Sequence, residues 1–149
     1  MTQEWDAFFS HSTRRSSDTR TDRIVDGVYL CLTARGRQVF WDLKCEVPKG
    51  DLVGGLREVI DHSRIAVFFM NAMFCKSSWA AEFEPDHVGR RYRSDRTSVL
   101  CLRLEPELPI PDWVSKKDVM DIPPTTQITE AVRLICDRLN QMLDPARRR

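Results

Sequence analysis

The chain of 149 residues, 42% of them hydrophobic and 30% charged, is long enough to close one well-buried core and too short for two. Its 23 basic residues are balanced by 22 acidic ones, and the formal charge of +1 leaves no whole-molecule field to draw in nucleic acid or an anionic membrane. The longest unbroken apolar run, Ile65 to Met70, is too short to span a bilayer, so recognition must come from a local site on a soluble domain.

In chain order, the N-terminal MTQEWDAFFS carries acids at Glu4 and Asp6 and no basic region leading into an apolar one. It does not read as a signal peptide, and a cytoplasmic protein is expected. Trp5 to Ser10 reads as a first strand, followed by a polar loop from Ser12 to Arg20. A helix then shows Ile24, Val25, Val28 and Leu32 at helical spacing, with Thr21 or Asp18 as its cap and Gly36 where a left-handed terminal residue is needed. Arg37 to Asp42 is a second strand. The loop LKCEVPKG leads to Asp51, an N-cap for a helix with Leu52, Val53, Leu56, Val59 and Ile60 on one face.

Ile65 to Met70 is a third strand, and its continuous rather than alternating apolar residues call for cover on both faces, as in the centre of a parallel sheet. Thr97 to Leu104 reads the same way. After the proline-rich EPELPIPDW come a short strand at Val119 to Asp121 and a last helix from about Thr126. That helix has a stripe of Ile128, Val132, Ile135, Leu139 and Met142 and ends at Asp144-Pro145. Strands alternating with helices imply right-handed crossovers and an α/β doubly wound parallel sheet of about five strands with helices on both faces. One domain over 1–144, with a basic tail at 145–149, is expected. If the strand order is 2-1-3-4-5, ligands bind beyond the carboxyl ends of strands one and three, beside Ser10, His11, Asn71 and the segment after the third strand.

Several chemistries common on such sheets are excluded by residue type. The loop after the first strand has no glycine, so it is neither a phosphate-cradling P-loop nor a dinucleotide fingerprint. Gly50, Gly54 and Gly55 surround the start of the second helix and read as turn and packing residues. A phospho-receiver needs acids where this chain has Ser10-His11 and Met70-Asn71, and no G-x-S-x-G elbow is present. The three histidines, His11, His62 and His87, lack metal-site spacing, and the five cysteines, Cys31, Cys45, Cys75, Cys101 and Cys136, form no C-x-x-C pair. Reduced, mostly buried thiols and no metal are expected. The basic run GRRYRSDR, Gly89 to Arg96, lacks interleaved aromatics and reads as a solvated helix end.

The segment CKSSWAAEFEP, Cys75 to Pro85, admits two readings. Trp79 and Phe83 can be core aromatics, with Glu82 and Glu84 as first-turn acids favoured by the helix N-terminus. Alternatively, one carboxylate faces the crevice. In a helix begun at Ser78, Glu82 lies about 60° around the axis from Trp79 and Glu84 about 140°, so Glu82 shares the tryptophan face. Pro85 disfavours helix at Glu84, leaving either one irregular turn or a helix restarting at Pro85.

Three stretches in order, DAFFSHS, GRQVFWDLKCEVPKGD, and SRIAVFF leading to KSSWAAEFE, resemble the Toll/interleukin-1 receptor (TIR) domain family, in particular a stand-alone bacterial member. They cover Asp6 to Glu84. The resemblance implies a flavodoxin-like sheet of order 2-1-3-4-5 and, in enzymatic members, cleavage of the nicotinamide–ribose bond of NAD by one glutamate. Such members carry S-x-W followed by a glutamate, here Ser77, Trp79 and Glu82. The family's glutamate usually stands four residues after the tryptophan, where this chain has Phe83, so Glu84 is the alternative.

Ser10, His11, Asp42, Lys49, Gly50, Asn71, Ser77 and Ser78 would border the pocket, and Phe9, Trp41 or Trp79 would stack on nicotinamide or adenine. For Phe9, inward packing in the core is the competing role. One carboxylate suffices chemically, because nicotinamide leaves a pyridinium as a neutral molecule and needs no acid to protonate it. What remains is stabilising the developing oxocarbenium charge.

NAD is thus the expected substrate, with no cofactor. Nicotinamide and ADP-ribose or a cyclic ADP-ribose-type signal are the expected products, in defence signalling with a downstream effector that senses them. A non-enzymatic module assembling with other TIR domains through Asp42 to Gly50 is the second reading. A nucleoside-type glycosyl-transferring enzyme is a third, for which the base-binding set is incomplete.

Overall fold

In the computed structural model, described over residues 3–11, 19–41, 52–72, 74 and 84–144 with the side chains at 52–54 and 84–86 set aside, the apolar run around Ile65 forms the centre of a parallel sheet. This strand, β3 (Ser63–Met70), lies between β1 (Trp5–Ser10) and β4 (Ser98–Arg103), with Ala7 opposite Ile65, Ser10 opposite Phe68 and Phe68 opposite Cys101. The short strands β2 (Val39–Phe40) and β5 (Val119–Asp121) close the edges. The order is β2-β1-β3-β4-β5, every pairing is parallel, and the expected doubly wound α/β architecture holds. Four longer helices among the described residues complete it: α1 (Thr19–Ala34), α2 (Leu52–Asp61), α3 (Glu84–Arg93) and α4 (Ile128–Leu143).

Period-two alternation divides each central strand between two cores. Ala7, Phe9, Ile65, Val67, Phe69, Leu100 and Leu102 face α1 and α4, meeting Ile24, Val28, Leu32, Ile135 and Leu139. Phe8, Ala66, Phe68, Met70, Val99 and Cys101 face the other way, onto Leu56, Val59 and Ile60 of α2, Val88 of α3, and Val114. Both faces of β3 are therefore covered, which is why its sequence is apolar without interruption.

Element ends show where local signals competed with tertiary ones. Gly36 has φ 82°, its N–H donates to the Thr33 carbonyl, and that of Arg37 donates to Leu32. This is a Schellman closure of α1 at the residue expected. Thr21 does not cap α1. The helix begins at Thr19, and Thr21 is buried within it, drawn inward by a partner on β3's exit.

The second strand is only two residues long rather than running from Arg37 to Asp42. The Gln38 N–H is taken by the Asp6 carboxylate at 2.8 Å, and β2 has a neighbour on one side only. β3 starts earlier than expected because Ser63 pairs with Trp5 while its hydroxyl caps the Val59 carbonyl of α2. The last helix starts at Ile128, with Gln127 as its N-cap. Helix α3 opens at Glu84 with Pro85 in its first turn, where a missing N–H costs nothing. The expected helix start at Ser78, the Asp51 and Asp18 caps, and the tail 145–149 lie outside the described residues.

Candidate functional site

The strand order reverses its winding between β1 and β3, so a crevice is expected beyond their carboxyl ends. The first residue past β1 is His11, and the first past β2 is Trp41. The Trp41 indole Nε1–H donates to His11 Nε2, and the rings meet edge to face with centroids 5.5 Å apart. On its other side Trp41 meets Tyr29 of α1 at 5.4 Å. An indole can only donate, so His11 Nε2 must present its lone pair, which leaves the imidazole proton on Nδ1. Trp41 itself is 5% exposed, and this Tyr29–Trp41–His11 row forms an aromatic wall.

At the end of β3, Asn71 is 2% exposed and works in two directions. Its Nδ2 donates to Thr21 Oγ1 of α1 at 3.2 Å, and its Oδ1 accepts from the Phe74 N–H at 2.8 Å. The next N–H, of Ala72, donates to the carboxylate of Glu105, which stands just past β4. The chain leaving β3 is therefore clamped from α1 and from β4 before it runs on toward residue 75. Ser10 is buried beside this clamp, and Phe9 is 3% exposed and packed edge to face on Phe69 with centroids 5.0 Å apart. The structure gives Phe9 the inward, core role.

Of the residues singled out from sequence, Ser10, His11, Trp41 and Asn71 gather at the carboxyl edge of β1, β2 and β3. Asp42, Lys49, Gly50, Ser77, Ser78, Trp79 and Glu82 lie outside the described residues, as does the side chain of Glu84. Three described contributors went unread as site residues: Thr21, Tyr29 and Glu105. Glu105 carries a usable signal, since it follows an apolar strand at the edge where ligands bind. Thr21 and Tyr29 carry none, because their roles depend on which strand α1 covers.

Two cavities open farther along the same edge, at β4 and β5. One, of about 450 Å³, is lined by Glu105, Glu107, Ile122 and Pro123; the other, of about 590 Å³, by Leu108, Ile110, Val114 and Lys116. Arg103 and Asp121 line both, joined by paired guanidinium–carboxylate hydrogen bonds. Neither cavity includes a residue singled out from sequence. The proline-rich connection 105–115 shapes them, and the fork between Arg103 and Asp121 divides them.

On the opposite face, the basic run after Gly89 is built into the fold rather than fully solvated. Arg91 bonds Thr97 Oγ1 and the Asp61 carbonyl, and His87 Nε2 lies 2.7 Å from Asp61 Oδ1. Tyr92 Oη donates to Asp118 at 2.5 Å and accepts from the Ser115 N–H. Arg90, Arg93 and Arg96 are exposed, as expected of a helix end. Among the described residues no three His, Cys, Asp or Glu side chains come together to hold a metal, and no helix is long and apolar enough to cross a membrane.

No family model matches the chain, and no curated protein matches it. Solved structures do. The TIR domain of the Toll-related receptor TRR-2 from Hydra magnipapillata superimposes with a TM-score of 0.64 at 11% identity, over 94% of this chain and 99% of that one. The RPS4 and RRS1 TIR domain heterodimer gives a TM-score of 0.61 at 13% identity, over 94% and 98%. At these identities the likeness is one of fold, and it extends over nearly the whole of each chain.

Proposed function

We propose that this chain, which has the TIR-domain fold, cleaves the nicotinamide–ribose bond of NAD, with Glu82 as the carboxylate that faces the reacting carbon. The observation that carries this reading is the strand order, whose winding reverses between β1 and β3, the point where sheets of this kind take their ligands. The chain leaving β3 at that point continues into KSSWAAEFE. His11 and Trp41 then border the nicotinamide end, Ser10 and Asn71 form the wall, and the Asn71 and Glu105 clamp sets the direction in which the segment departs. Glu82 is preferred over Glu84 because, in a helix begun at Ser78, it shares the Trp79 face, and because an apolar residue, Phe83, follows it.

In this reading the carboxylate stabilises positive charge developing on the ribose as neutral nicotinamide departs. Nicotinamide and ADP-ribose, or a cyclic ADP-ribose-type product, result and serve as a signal. A second reading, assembly with other TIR domains through Asp42 to Gly50 without catalysis, is favoured by the heterodimer among the similar structures.

Concentrated protein incubated with NAD should release nicotinamide, followed by chromatography. Glu82→Gln should lower turnover at least about 100-fold, the order of loss seen when one transition-state electrostatic partner is removed. Full turnover in Glu82→Gln with loss in Glu84→Gln moves the role to Glu84. A protein that self-associates at high concentration yet releases no nicotinamide is a scaffold.

A further inference from the structure

We propose that Cys31 and Cys136 are an oxidation site, a thiol pair that closes to a disulfide between α1 and α4 when the protein meets a peroxide.

The two helices lie on the same face of the sheet and run parallel, since each returns from the carboxyl edge toward the amino edge. Three contacts set their register. Near the start, the Arg20 guanidinium donates to the carbonyls of Pro123 and Thr126. In the middle, a Cβ built on Gly27 would lie 2.7 Å from Val132 Cγ2, so the backbones approach where α1 has no side chain. Past the end of α1, Arg37 Nε donates to Asn140 Oδ1 at 3.2 Å. Four residues beyond Gly27 is Cys31, and four residues beyond Val132 is Cys136. In parallel helices a step of four in each keeps the same pair of faces opposed.

The Cys136 Sγ lies 4.0 Å from the carbonyl of Val28, which shares the Cys31 face of α1. A disulfide needs facing Cα atoms roughly 4.4–6.8 Å apart, a separation that a glycine contact one turn away favours.

The environments of the two thiols divide the work. Cys31 is half-buried at the rim of the helix interface, and Cys136 is buried beneath it. Burial, and secondly the neighbouring Cys31 thiol, push the Cys136 pKa far up, so Cys136 is not the thiol that reacts first. The Cys31 thiolate attacks one peroxide oxygen. The O–O bond breaks, a sulfenic acid forms on Cys31, and the departing hydroxide leaves as water with the thiol's proton. Cys136 Sγ then attacks the Cys31 sulfur. The S–S bond forms, the S–O bond breaks, and the second water carries off the Cys136 proton. Two thiols are oxidised and one peroxide is reduced to two waters. The other described thiol, Cys101, is buried in β4 on the opposite face of the sheet and cannot reach either partner.

The test treats the folded wild-type protein with hydrogen peroxide, quenches it, alkylates free thiols after unfolding, and maps the digest by mass spectrometry without reductant. The expected product is a cross-linked pair of peptides carrying Cys31 and Cys136, separated by dithiothreitol and absent from Cys31→Ser, in which Cys136 stays alkylatable. A Cys31 carried on to sulfinic acid with Cys136 still free would overturn the proposal. So would a Cys31 or Cys136 linked to any other cysteine, or a Cys31 that peroxide leaves unmodified.

Discussion

The Asn71 amide is held from two sides and joins α1 to the chain leaving β3. Asn71→Ala leaves the Phe74 N–H and the Thr21 hydroxyl without that partner, and stranding a buried polar group costs about 1–3 kcal/mol. A urea midpoint lower by the equivalent of about 2 kcal/mol at an unchanged slope is expected. Tyr92 is the second such residue. Burial first, and then its hydrogen bond to Asp118, hold its phenol above the ordinary range, so the folded state favours the neutral form. Its contribution is present in full below the unfolded value of about 10 and is lost as pH rises through the raised folded value. Tyr92→Phe should cost about 1–2 kcal/mol at neutral pH and flatten that part of the alkaline limb, measured as denaturant midpoints across pH.

Between elements, the contact of Gly27 with Val132 decides how closely α1 and α4 pack. Alanine is a better helix former than glycine by about 1 kcal/mol, but overpacking costs about 1–3 kcal/mol, and a β-branched valine in a helix has one strongly preferred rotamer with which to yield. The steric effect should win. Gly27→Ala is expected to lose about 1 kcal/mol in the wild type and to gain stability in a Val132→Ala background, a sign change that a double-mutant cycle by thermal or urea unfolding reads directly. Boundaries were less legible than the elements themselves. The Gly36 stop was readable because only a residue tolerant of positive φ closes a helix that way. The length of β2 was not, because it turned on Asp6, 32 positions away from Gln38, taking an N–H that the ladder would otherwise use.

At the scale of the whole molecule, one sheet with two cores makes local edge contacts count in global unfolding. Arg103 reaches across to Asp121 and joins β4 to the edge strand β5, and this hydrogen bond holds the Asp121 carboxyl below its ordinary range. A depressed carboxyl stabilises above its unfolded pKa, and that stabilisation is lost as pH falls through the folded value. Asp121 is largely exposed, so the pair is worth roughly 0.5–1 kcal/mol. Asp121→Asn should lower the neutral-pH midpoint by that amount and leave stability unchanged from wild type once pH falls below the folded pKa of Asp121, as measured by urea unfolding from pH 7 down to pH 2.

Hydrophobic periodicity by itself determined the alternation of strands with helices and the double-sided cover of β3, and the resemblance carried by three stretches supplied the strand order, with its reversal between β1 and β3. The first two follow from local rules: a period of two or 3.6 states which face of an element is apolar. It does not state which other element that face meets. Only the tertiary structure turned Phe9 inward onto Phe69, brought Thr21 and Glu105 to the exit of β3 from opposite sides, and set Cys31 against Cys136 across two helices far apart in the chain. Each is a contact between separate periodic patterns, and the crossover connections and close backbone approach that create it appear in neither pattern alone.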